Sequence, residues 1–234
     1  MREDFACRKG YGTHRAVLWL QHLLRRHRFV VHLDIRACFP SVDLSILGRL
    51  VRRRIDDGRF LAVLDRVLAD GPPLYARPEV RRHARLNDDW PPPGRGLPIG
   101  ASTSQYLVTH VYLSGLDHFV KRALKVPGWA RYVDDQFAFG DRRADLRAWR
   151  AAIGEWLWTE RGMRLKHPEA RVLNCRGHLD ALGYRVTRES LEARPRATRR
   201  YAARLRQALA DPDATPRPDP VRSIASTAGV VLFG

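Results

Sequence analysis

Two apolar, strand-like segments of this chain each end in carboxylates, and this feature constrains the fold more than any other. Residues 29–35 (FVVHLDI) are rich in β-branched side chains and predict a buried strand that carries Asp34 near its end. Residues 129–140 (WARYVDDQFAFG) predict two short strands joined at Asp134 and Asp135. A carboxylate at the end of a buried strand loses hydration and is costly without a cation. The sequence therefore predicts a cation site where the strands end.

Magnesium is the cation that fits these carboxylates. It takes hard oxygen ligands and keeps open positions for substrate phosphates. Two such ions, about 3.5–4 Å apart, lower the barrier to in-line phosphoryl transfer. The simpler interpretation of Asp134 and Asp135 alone is a hairpin turn, because Asp is common in turns. Only together with Asp34 does the pair favour a site for two metal ions.

The segments around the first strand predict helices that begin at capping residues. Residues 6–26 predict a Gly-containing basic loop and then a helix with Thr13 as its N-cap. Apolar residues recur at three- and four-residue spacing after Ser41, which predicts a second helix capped by that residue. Asp43 lies in the first turn of this helix, where negative charge is favourable, so its interpretation is structural.

The following segments complete an α+β domain. Residues 71–96, rich in Pro, Arg and Gly, predict an extended connection. A long amphipathic helix is expected from about Ser102 to Leu124, with Asp117 as a solvated or paired surface charge, and another helix over about 142–161. The order strand, helix, helix, hairpin, helix, strand predicts an antiparallel sheet.

The composition favours a polyanionic partner. The formal net charge of the 234 residues is +17, and Arg supplies nearly all of it. Arg binds phosphates through a forked set of donors, and phosphate contacts dominate nucleic-acid affinity. The charge therefore predicts nucleic acid as the partner. The alternative is an Arg-rich surface that is simply solvated.

The sequence also predicts a cytoplasmic protein that does not contact a membrane. Its first ten residues are polar and charged, which does not fit a signal peptide. It has no apolar run of the roughly 18 residues that a membrane span needs. Cys7, Cys38 and Cys175 are odd in number and widely separated, which predicts neither a disulfide framework nor a zinc site.

Several motifs, in order along the chain, resemble those of reverse transcriptases. The motifs are ACRKGYGTHRA at 6–16, LDIRACFPSVD at 33–43, GLPIGASTSQYLVTHVYLSGLD at 96–117, YVDD at 132–135 and LDALGYRV at 179–186. The middle three are similar to successive palm motifs of that family, and the last to its primer-gripping element. The resemblance covers most of the chain and implies an RNA-directed DNA polymerase.

The resemblance implies a right-hand polymerase palm with an antiparallel sheet, partial fingers and a short helical thumb. Residues 1–28 would be the residual fingers, with the opening loop and helix. Residues 29–188 would be the palm, with a fingers-like insertion at about 44–95. Residues 189–234 would be a partial thumb, helical to Ala210.

The family's functional residues carry over onto matching positions of this sequence. The implied catalytic residues are Asp34, Asp134 and Asp135, which together with Ile35 would bind two Mg²⁺ ions, Mn²⁺ being a substitute. The implied nucleotide-binding residues are Ile35, Arg36, Phe39, Ile99, Gly100 and Gln105, and the implied primer grip is Leu182, Gly183 and Tyr184. Ile35 and Arg36 would offer backbone amides to the triphosphate. Phe39 matches a steric gate against the ribose 2′-hydroxyl, the alternative being a core residue.

The stretch IGASTSQ narrows the resemblance further. Most reverse transcriptases have Gln-Gly at its start and Ser-Pro at its end, where this chain has Ile99-Gly100 and Ser104-Gln105. That pattern is similar to the enzymes of diversity-generating retroelements, which copy a template-repeat RNA with frequent errors. The alternatives are a group II intron-like or retron-like enzyme, or an inactive palm that only binds nucleic acid.

The implied partners are an RNA template, a DNA or RNA primer and deoxynucleoside triphosphates, with a small basic accessory protein for the retroelement type in a bacterium or phage. The chain departs from the family after Gly162, where relatives often have a Lys suited to protonating pyrophosphate. Lys166, His167 and Arg171 are candidate substitutes, between which the sequence does not decide.

Overall fold

The computed structural model describes residues 3–98 and 102–210, without the side chains of residues 197, 201, 204, 205 and 207–210. The α-helices are α1 (Thr13–Arg26), α2 (Leu44–Arg52), α3 (Gly58–Ala69), α4 (Gly71–Ala76), α5 (Pro78–His83), α6 (Ser102–Tyr106), α7 (Ser114–His118), α8 (Arg143–Arg161) and α9 (Pro195–Ala210). The strands are β1 (Phe29–Leu33), β2 (Gly128–Tyr132), β3 (Asp135–Gly140), β4 (Val172–Asn174), β5 (Leu179–Ala181), β6 (Tyr184–Val186) and β7 (Leu191–Ala193).

The main sheet is antiparallel, with the strand order β2-β3-β1-β4. β1 pairs with β3 along its whole length, from Phe29 opposite Gly140 to Leu33 opposite Gln136. The β-branched and aromatic side chains of these strands suit a pleated surface that is buried on both sides. Because the β2–β3 hairpin turns where β1 ends, the acidic turn and Asp34 lie at the same end of the sheet.

Both faces of the main sheet are covered, with successive side chains entering different cores. Val31 and Leu33 belong to a core shared with α2, α8 and the helical segments after residue 102. Val30, Phe137 and Phe139 belong to a second core shared with α1 and a small sheet of order β5-β6-β7. Polar groups of the sheet are therefore accessible mainly at its ends and edges. The predicted α+β fold with an antiparallel sheet is confirmed.

The predicted long helix over about 102–124 is present but irregular. α6 and α7 are each followed by a π-helical segment, Leu107–Tyr112 and Phe119–Ala123, with an interruption at Leu113. Tyr112 is fully buried beside this interruption. Its hydroxyl donates to the Arg161 carbonyl at 2.6 Å and accepts from the Asp43 amide at 3.1 Å. This one side chain therefore ties the irregular helix both to α8 and to the start of α2.

The insertion after the first strand differs from the sequence prediction in two places. Asp43, not Ser41, caps α2, and its carboxylate accepts hydrogen bonds from the Ser45 and Ile46 amides. Ser41 is buried, and its hydroxyl donates to the Arg36 carbonyl at 3.0 Å, so it is not free to cap. The expected extended connection over 71–96 was also wrong in part, because α4 and α5 occupy its first half, each with Pro in its first turn.

The beginning and the end of the chain add two further findings. Thr13 does not cap α1; Gly12 occupies the N-cap position, and the Thr13 hydroxyl donates to the Tyr132 hydroxyl at 3.1 Å. The helix expected over residues 189–210 is confirmed only from Pro195, where α9 begins, because β7 occupies residues 191–193. The remainder of the predicted thumb, 211–234, lies outside the described residues. The division into fingers, palm and thumb stays a prediction. Within the described part of the chain, no helix is long and apolar enough to cross a membrane.

Candidate active site

The turn between β2 and β3 carries Asp134 at one end of the main sheet. Tyr132 pairs with Asp135, so Val133 and Asp134 form a two-residue turn. Val133 has a φ of 56°, a left-handed conformation that is costly for a β-branched residue. The guanidinium of Arg131 donates a hydrogen bond to the Val133 carbonyl at 3.3 Å. A buried donor thus holds the backbone of the strained turn.

Arg131 belongs to a buried charge network behind the turn. Its side chain is fully buried and donates two hydrogen bonds to the Asp117 carboxylate, at 2.9 and 2.7 Å. The Trp129 indole donates to the same carboxylate at 3.0 Å. The prediction that Asp117 lies at the surface was therefore wrong, because this residue is only 3% exposed. Its pairing with Arg131 compensates the hydration that the carboxylate loses on burial.

The first described residues of the chain also bind this network. The Arg131 amide donates to the Glu3 carbonyl, and the Phe5 amide donates to the Arg131 carbonyl. Asp4, between them, is buried and lies 3.2 Å from Arg131 Nη2 and 3.2 Å from His110 Nδ1. Burial raises the pKa of Asp4, and the positive charge of Arg131 opposes this rise. The amino-terminal segment thus adds to the edge of β2 beside the turn.

Asp34 follows β1 directly and is bound from the other side by a segment after α8. Its backbone carbonyl accepts a hydrogen bond from the Lys166 amide at 2.8 Å. This pairing brings the Lys166 ammonium to the Asp34 carboxylate, with 2.8 Å between Nζ and Oδ2. The hydrogen bond to Asp34 raises the pKa of Lys166, so the amine remains a cation. Of the three candidate substitutes, Lys166, His167 and Arg171, Lys166 is the one for which the described residues show an ion pair with a predicted catalytic carboxylate.

The carboxylates of the turn influence each other strongly. Burial, followed by the negative charges of Asp135 and Asp34, raises the pKa of Asp134 to about 6. Asp135 Oδ1 lies 2.6 Å from the His32 imidazole, which stacks on Phe137 with ring centroids 4.5 Å apart. The end of the sheet therefore holds mutually repelling carboxylates, each near a donor or cation, and this arrangement favours a bound cation.

The predicted nucleotide-binding residues differ in what they expose. Ile35 is buried, so its side chain belongs to the core. The Arg36 amide already donates to the Arg164 carbonyl at 2.8 Å, in place of the free donor that the resemblance implies. The Arg36 guanidinium pairs with Asp89 at 3.0 Å. Phe39 is partly buried against the main core, which leaves both the gate and the core interpretation open.

The other predicted positions lie partly outside the described residues. Ile99 and Gly100 fall there, so nothing structural is said of them. Gln105 lies on α6 with its side chain exposed, whereas its neighbour Ser104 is 3% exposed. A surface position leaves Gln105 accessible to a ligand, and its binding role stays a prediction.

The predicted primer grip forms the tight turn between β5 and β6. Leu182 and Gly183 are the turn residues and have φ values of 52° and 91°. Two consecutive positive φ values are typical of a type I′ hairpin, which explains the glycine. Tyr184 is fully buried at the start of β6 and forms an edge-to-face contact with His14 of α1. Its ring thus fixes the turn against α1.

Sequence reasoning missed His32 and Arg131 and left Lys166 undecided. His32 lies between apolar neighbours in β1, and this local pattern does not show which residue it contacts. Only the pairing of β1 with β3 places its imidazole beside Asp135. Arg131 is a charged residue in a strand that is predicted to be buried. A charged residue at such a position indicates that it has a buried partner. Lys166 depends on a long-range backbone pairing that no local pattern announces.

Three comparisons with known proteins bear on this site. No family model matches the sequence, and no curated protein matches it either. Among solved structures, apo telomerase from Candida tropicalis truncated from its C-terminal domain has a TM-score of 0.56 at 12% identity and covers 82% of this chain and 41% of its own. Apo telomerase from Candida tropicalis has a TM-score of 0.52 at 10% sequence identity. The match covers 85% of this chain and 38% of the telomerase chain. Candida albicans telomerase in complex with a fragment of telomeric RNA has a TM-score of 0.50 at 12% sequence identity. The match covers 99% of this chain and 43% of the telomerase chain.

The fold is therefore reverse-transcriptase-like, as the sequence motifs predicted. The protein is an α+β domain with antiparallel sheets, similar in structure to telomerase, which is a reverse transcriptase. It spans about two fifths of the length of the telomerase chains that it matches.

The donor chemistry of the site fits magnesium, although the donors are not gathered around one point. Among the described residues, no three His, Cys, Asp or Glu side chains lie close enough to hold a metal ion as they stand. Asp34, Asp134 and Asp135 nevertheless supply hard carboxylate oxygens whose mutual repulsion a divalent cation would relieve. Lys166 Nζ contacts Asp34 Oδ2, so a metal ion at that oxygen would compete with the ammonium group.

Proposed function

We propose that this chain catalyses RNA-templated DNA synthesis. The observation that carries the proposal is the position of Asp34, Asp134 and Asp135 at one end of the main sheet in a reverse-transcriptase-like fold. Its partners would be an RNA template, a DNA or RNA primer and deoxynucleoside triphosphates. The resemblance to a telomerase solved with telomeric RNA supports an RNA partner.

Each residue of the site has a role in this proposal. Asp34, Asp134 and Asp135 would hold Mg²⁺, or Mn²⁺ in its place, with the Ile35 backbone nearby. Bound there, the ions would supply activation of the primer 3′-hydroxyl and stabilisation of the leaving pyrophosphate. Arg131 keeps the turn in place through the Val133 carbonyl. Lys166 contributes positive charge beside Asp34, where phosphates would bind.

Primer extension on a primed RNA template tests the proposal. With Mg²⁺ or Mn²⁺ present, the unaltered protein is expected to extend the primer. Asp134→Asn is expected to lower extension by about 10²–10³-fold, because it removes the charge of a carboxylate that would hold the metal. Asp56→Asn removes the same charge at an exposed residue that is not one of the predicted site residues, and it serves as the control. Polymerase activity would be contradicted if the Asp134→Asn variant extended the primer as fast as the unaltered protein. It would also be contradicted if the unaltered protein extended no primer.

A finer proposal is that the enzyme belongs to the diversity-generating retroelement type. Its support is the sequence IGASTSQ at 99–105, where most reverse transcriptases have other residues. The expected genomic context is a template and variable repeat pair that differs at adenines, with a gene for a small basic accessory protein. A group II intron or retron context would instead favour those enzyme types and leave the polymerase proposal intact.

A second candidate function is binding of nucleic acid without synthesis. The net charge of +17, supplied mainly by Arg, supports it. It predicts that the protein binds a primed template with both metals present and extends no primer. The extension assay therefore decides between the two functions.

A further inference from the structure

An arginine-lined cavity lies at the opposite end of the main sheet from the acidic turn. Its volume is about 360 Å³, and it is lined by Arg28, Phe29, Asn174, Arg176 and Arg188. Phe29 opens β1, whereas Asp34 follows its last residue. At about 3.3 Å per strand residue, the two ends are separated by roughly 15 Å or more. The cavity is therefore outside the candidate active site.

Two guanidinium groups at and beside this cavity, those of Arg188 and Arg143, are held in place. Arg188 donates from Nε to the Leu24 carbonyl and from Nη2 to the His27 carbonyl, both at 2.9 Å, at the end of α1. Arg143 donates to the Val172 carbonyl at 2.8 Å and lies 4.5 Å from the Phe29 ring centre. Carbonyl acceptors fix these groups without neutralising their charge, so their remaining N–H groups stay oriented for a ligand.

No carboxylate in the described part of the chain forms a salt bridge with Arg28, Arg143, Arg176 or Arg188. Asp141 is near, but its Oδ1 accepts from the Arg28 amide at 2.9 Å, and its Oδ2 lies 3.6 Å from His27 Nδ1. Guanidinium groups without partner anions favour an anionic ligand, because each of these charges gains by phosphate contact.

A second cavity continues the positive surface along β4, which is an edge strand. It has a volume of about 300 Å³, and its charged lining residues are Arg143, Arg147, Arg150, Glu169 and Arg171. Arg150 pairs with Glu169 at 2.8 Å, which leaves the other guanidiniums in excess. The side chains of Arg28, Arg143, Arg147, Arg171 and Arg176, all exposed, form what we term the β4-edge strip.

We propose that the β4-edge strip binds the sugar–phosphate backbone of a nucleic-acid strand, apart from the segment held at the acidic turn. A row of several arginines extending over two adjoining cavities matches a ligand with regularly repeated anions better than a single small anion. The inference rests on the proposed function only for the choice of RNA as the probe.

The test measures binding of a fluorescent single-stranded RNA by anisotropy at several salt concentrations, without nucleotides. The triple variant Arg28→Gln, Arg143→Gln, Arg176→Gln is expected to bind at least about tenfold more weakly at low salt. It should also flatten the slope of log affinity against log salt by about 2, since each lost phosphate contact on a single strand removes about 0.7. Arg188 is left in place because it binds the end of α1.

A matched control separates the strip from net charge. Arg59→Gln, Arg66→Gln, Arg122→Gln removes the same charge from exposed residues on α3 and near residue 120. It is expected to change the affinity and the slope by less than half as much. An RNA with uncharged methylphosphonate linkages should bind the protein and the strip variant equally.

Equal effects of the two triple variants on affinity and slope would overturn the proposal, as would a strip variant that binds like the unaltered protein. Thermal melting of both variants verifies that they are folded, and single substitutions at the same three positions replace a triple variant that does not fold. If the protein binds RNA through the strip yet extends no primer, the strip proposal holds and the polymerase proposal fails.

Discussion

At the scale of single residues, Asp134 carries the most unfavourable charge that the structure shows near the turn. Burial and the neighbouring carboxylates raise its pKa to about 6 from its ordinary value of 3.8. The folded protein therefore binds a proton more tightly than the unfolded chain does. Stability from this residue is fully present below pH 3.8 and is lost as the pH rises through about 6.

Asp134→Asn is expected to raise the free energy of unfolding at pH 8 in EDTA, because it removes a repelled charge. The rise in pKa corresponds to at most about 3 kcal/mol. Urea unfolding at pH 8 and pH 4 measures it, and most of the gain should be lost at pH 4. Asp56→Asn, at an exposed residue, should show no such pH-dependent gain. A variant no more stable than the unaltered protein at pH 8 contradicts the expectation.

The residues of the site differ in how well sequence could predict them. Asp34 and the turn carboxylates follow from local patterns, since the apolar runs before them indicate where strands end. Asp117 does not, because helical periodicity assigns a face and cannot show that Arg131, 14 residues later, occupies that face. Lys166 depends on the pairing of residues 164–166 with 34–36, a contact between distant parts of the chain.

At the scale of elements, α2 depends on its cap. Burial alone would raise the pKa of Asp43, but hydrogen bonds from Ser45 and the Ile46 amide, with the charge of Arg95, hold it below its ordinary value. A lowered pKa stabilises the folded state above the unfolded pKa of 3.8, and this contribution is lost as the pH falls through the lower folded value.

Asp43→Ala is expected to lower the free energy of unfolding by about 1 kcal/mol at pH 7, through loss of the cap. The loss should shrink at about pH 2–3, where the carboxyl of the unaltered protein becomes protonated. Urea unfolding at both pH values measures the difference. Asp56→Ala, outside the cap position, is the control; an equal loss in that variant would show that capping is not the cause.

The capping residues also show why element boundaries were harder to predict than the elements. Ser41 and Asp43 are both good caps by type. Ser41 is withdrawn from this role by its contacts with the Arg36 carbonyl and with the Trp90 indole, which donates to its hydroxyl at 2.8 Å. A tertiary contact, which the local sequence does not contain, decides between them.

At the scale of the whole molecule, the surface of α3 is unusually apolar. Phe60, Val63 and Val67 are 47%, 62% and 43% exposed and lie at helical spacing on one face. Val63→Ser with Val67→Ser is expected to reduce self-association at high protein concentration, because apolar patches of this kind promote aggregation. Sedimentation velocity over a concentration series measures it.

Leu18→Ser is the control for this prediction, since Leu18 is 49% exposed but lies on α1. It should leave self-association unchanged. If the α3 variant associates as strongly as the unaltered protein, the apolar face of α3 is not responsible. The α+β class with an antiparallel sheet, by contrast, followed from the order of strands and helices along the chain.

The pairing of the amino-terminal segment with Arg131 has a consequence for how the chain is made. A ribosome releases Glu3, Asp4 and Phe5 long before Asp117 and Arg131 exist. Asp4 can therefore enter the buried network only after more than a hundred further residues have been added to the chain. The segment of residues 3–5 thus reaches its place only after Arg131 has been synthesised, and the support of the acidic turn is completed no earlier.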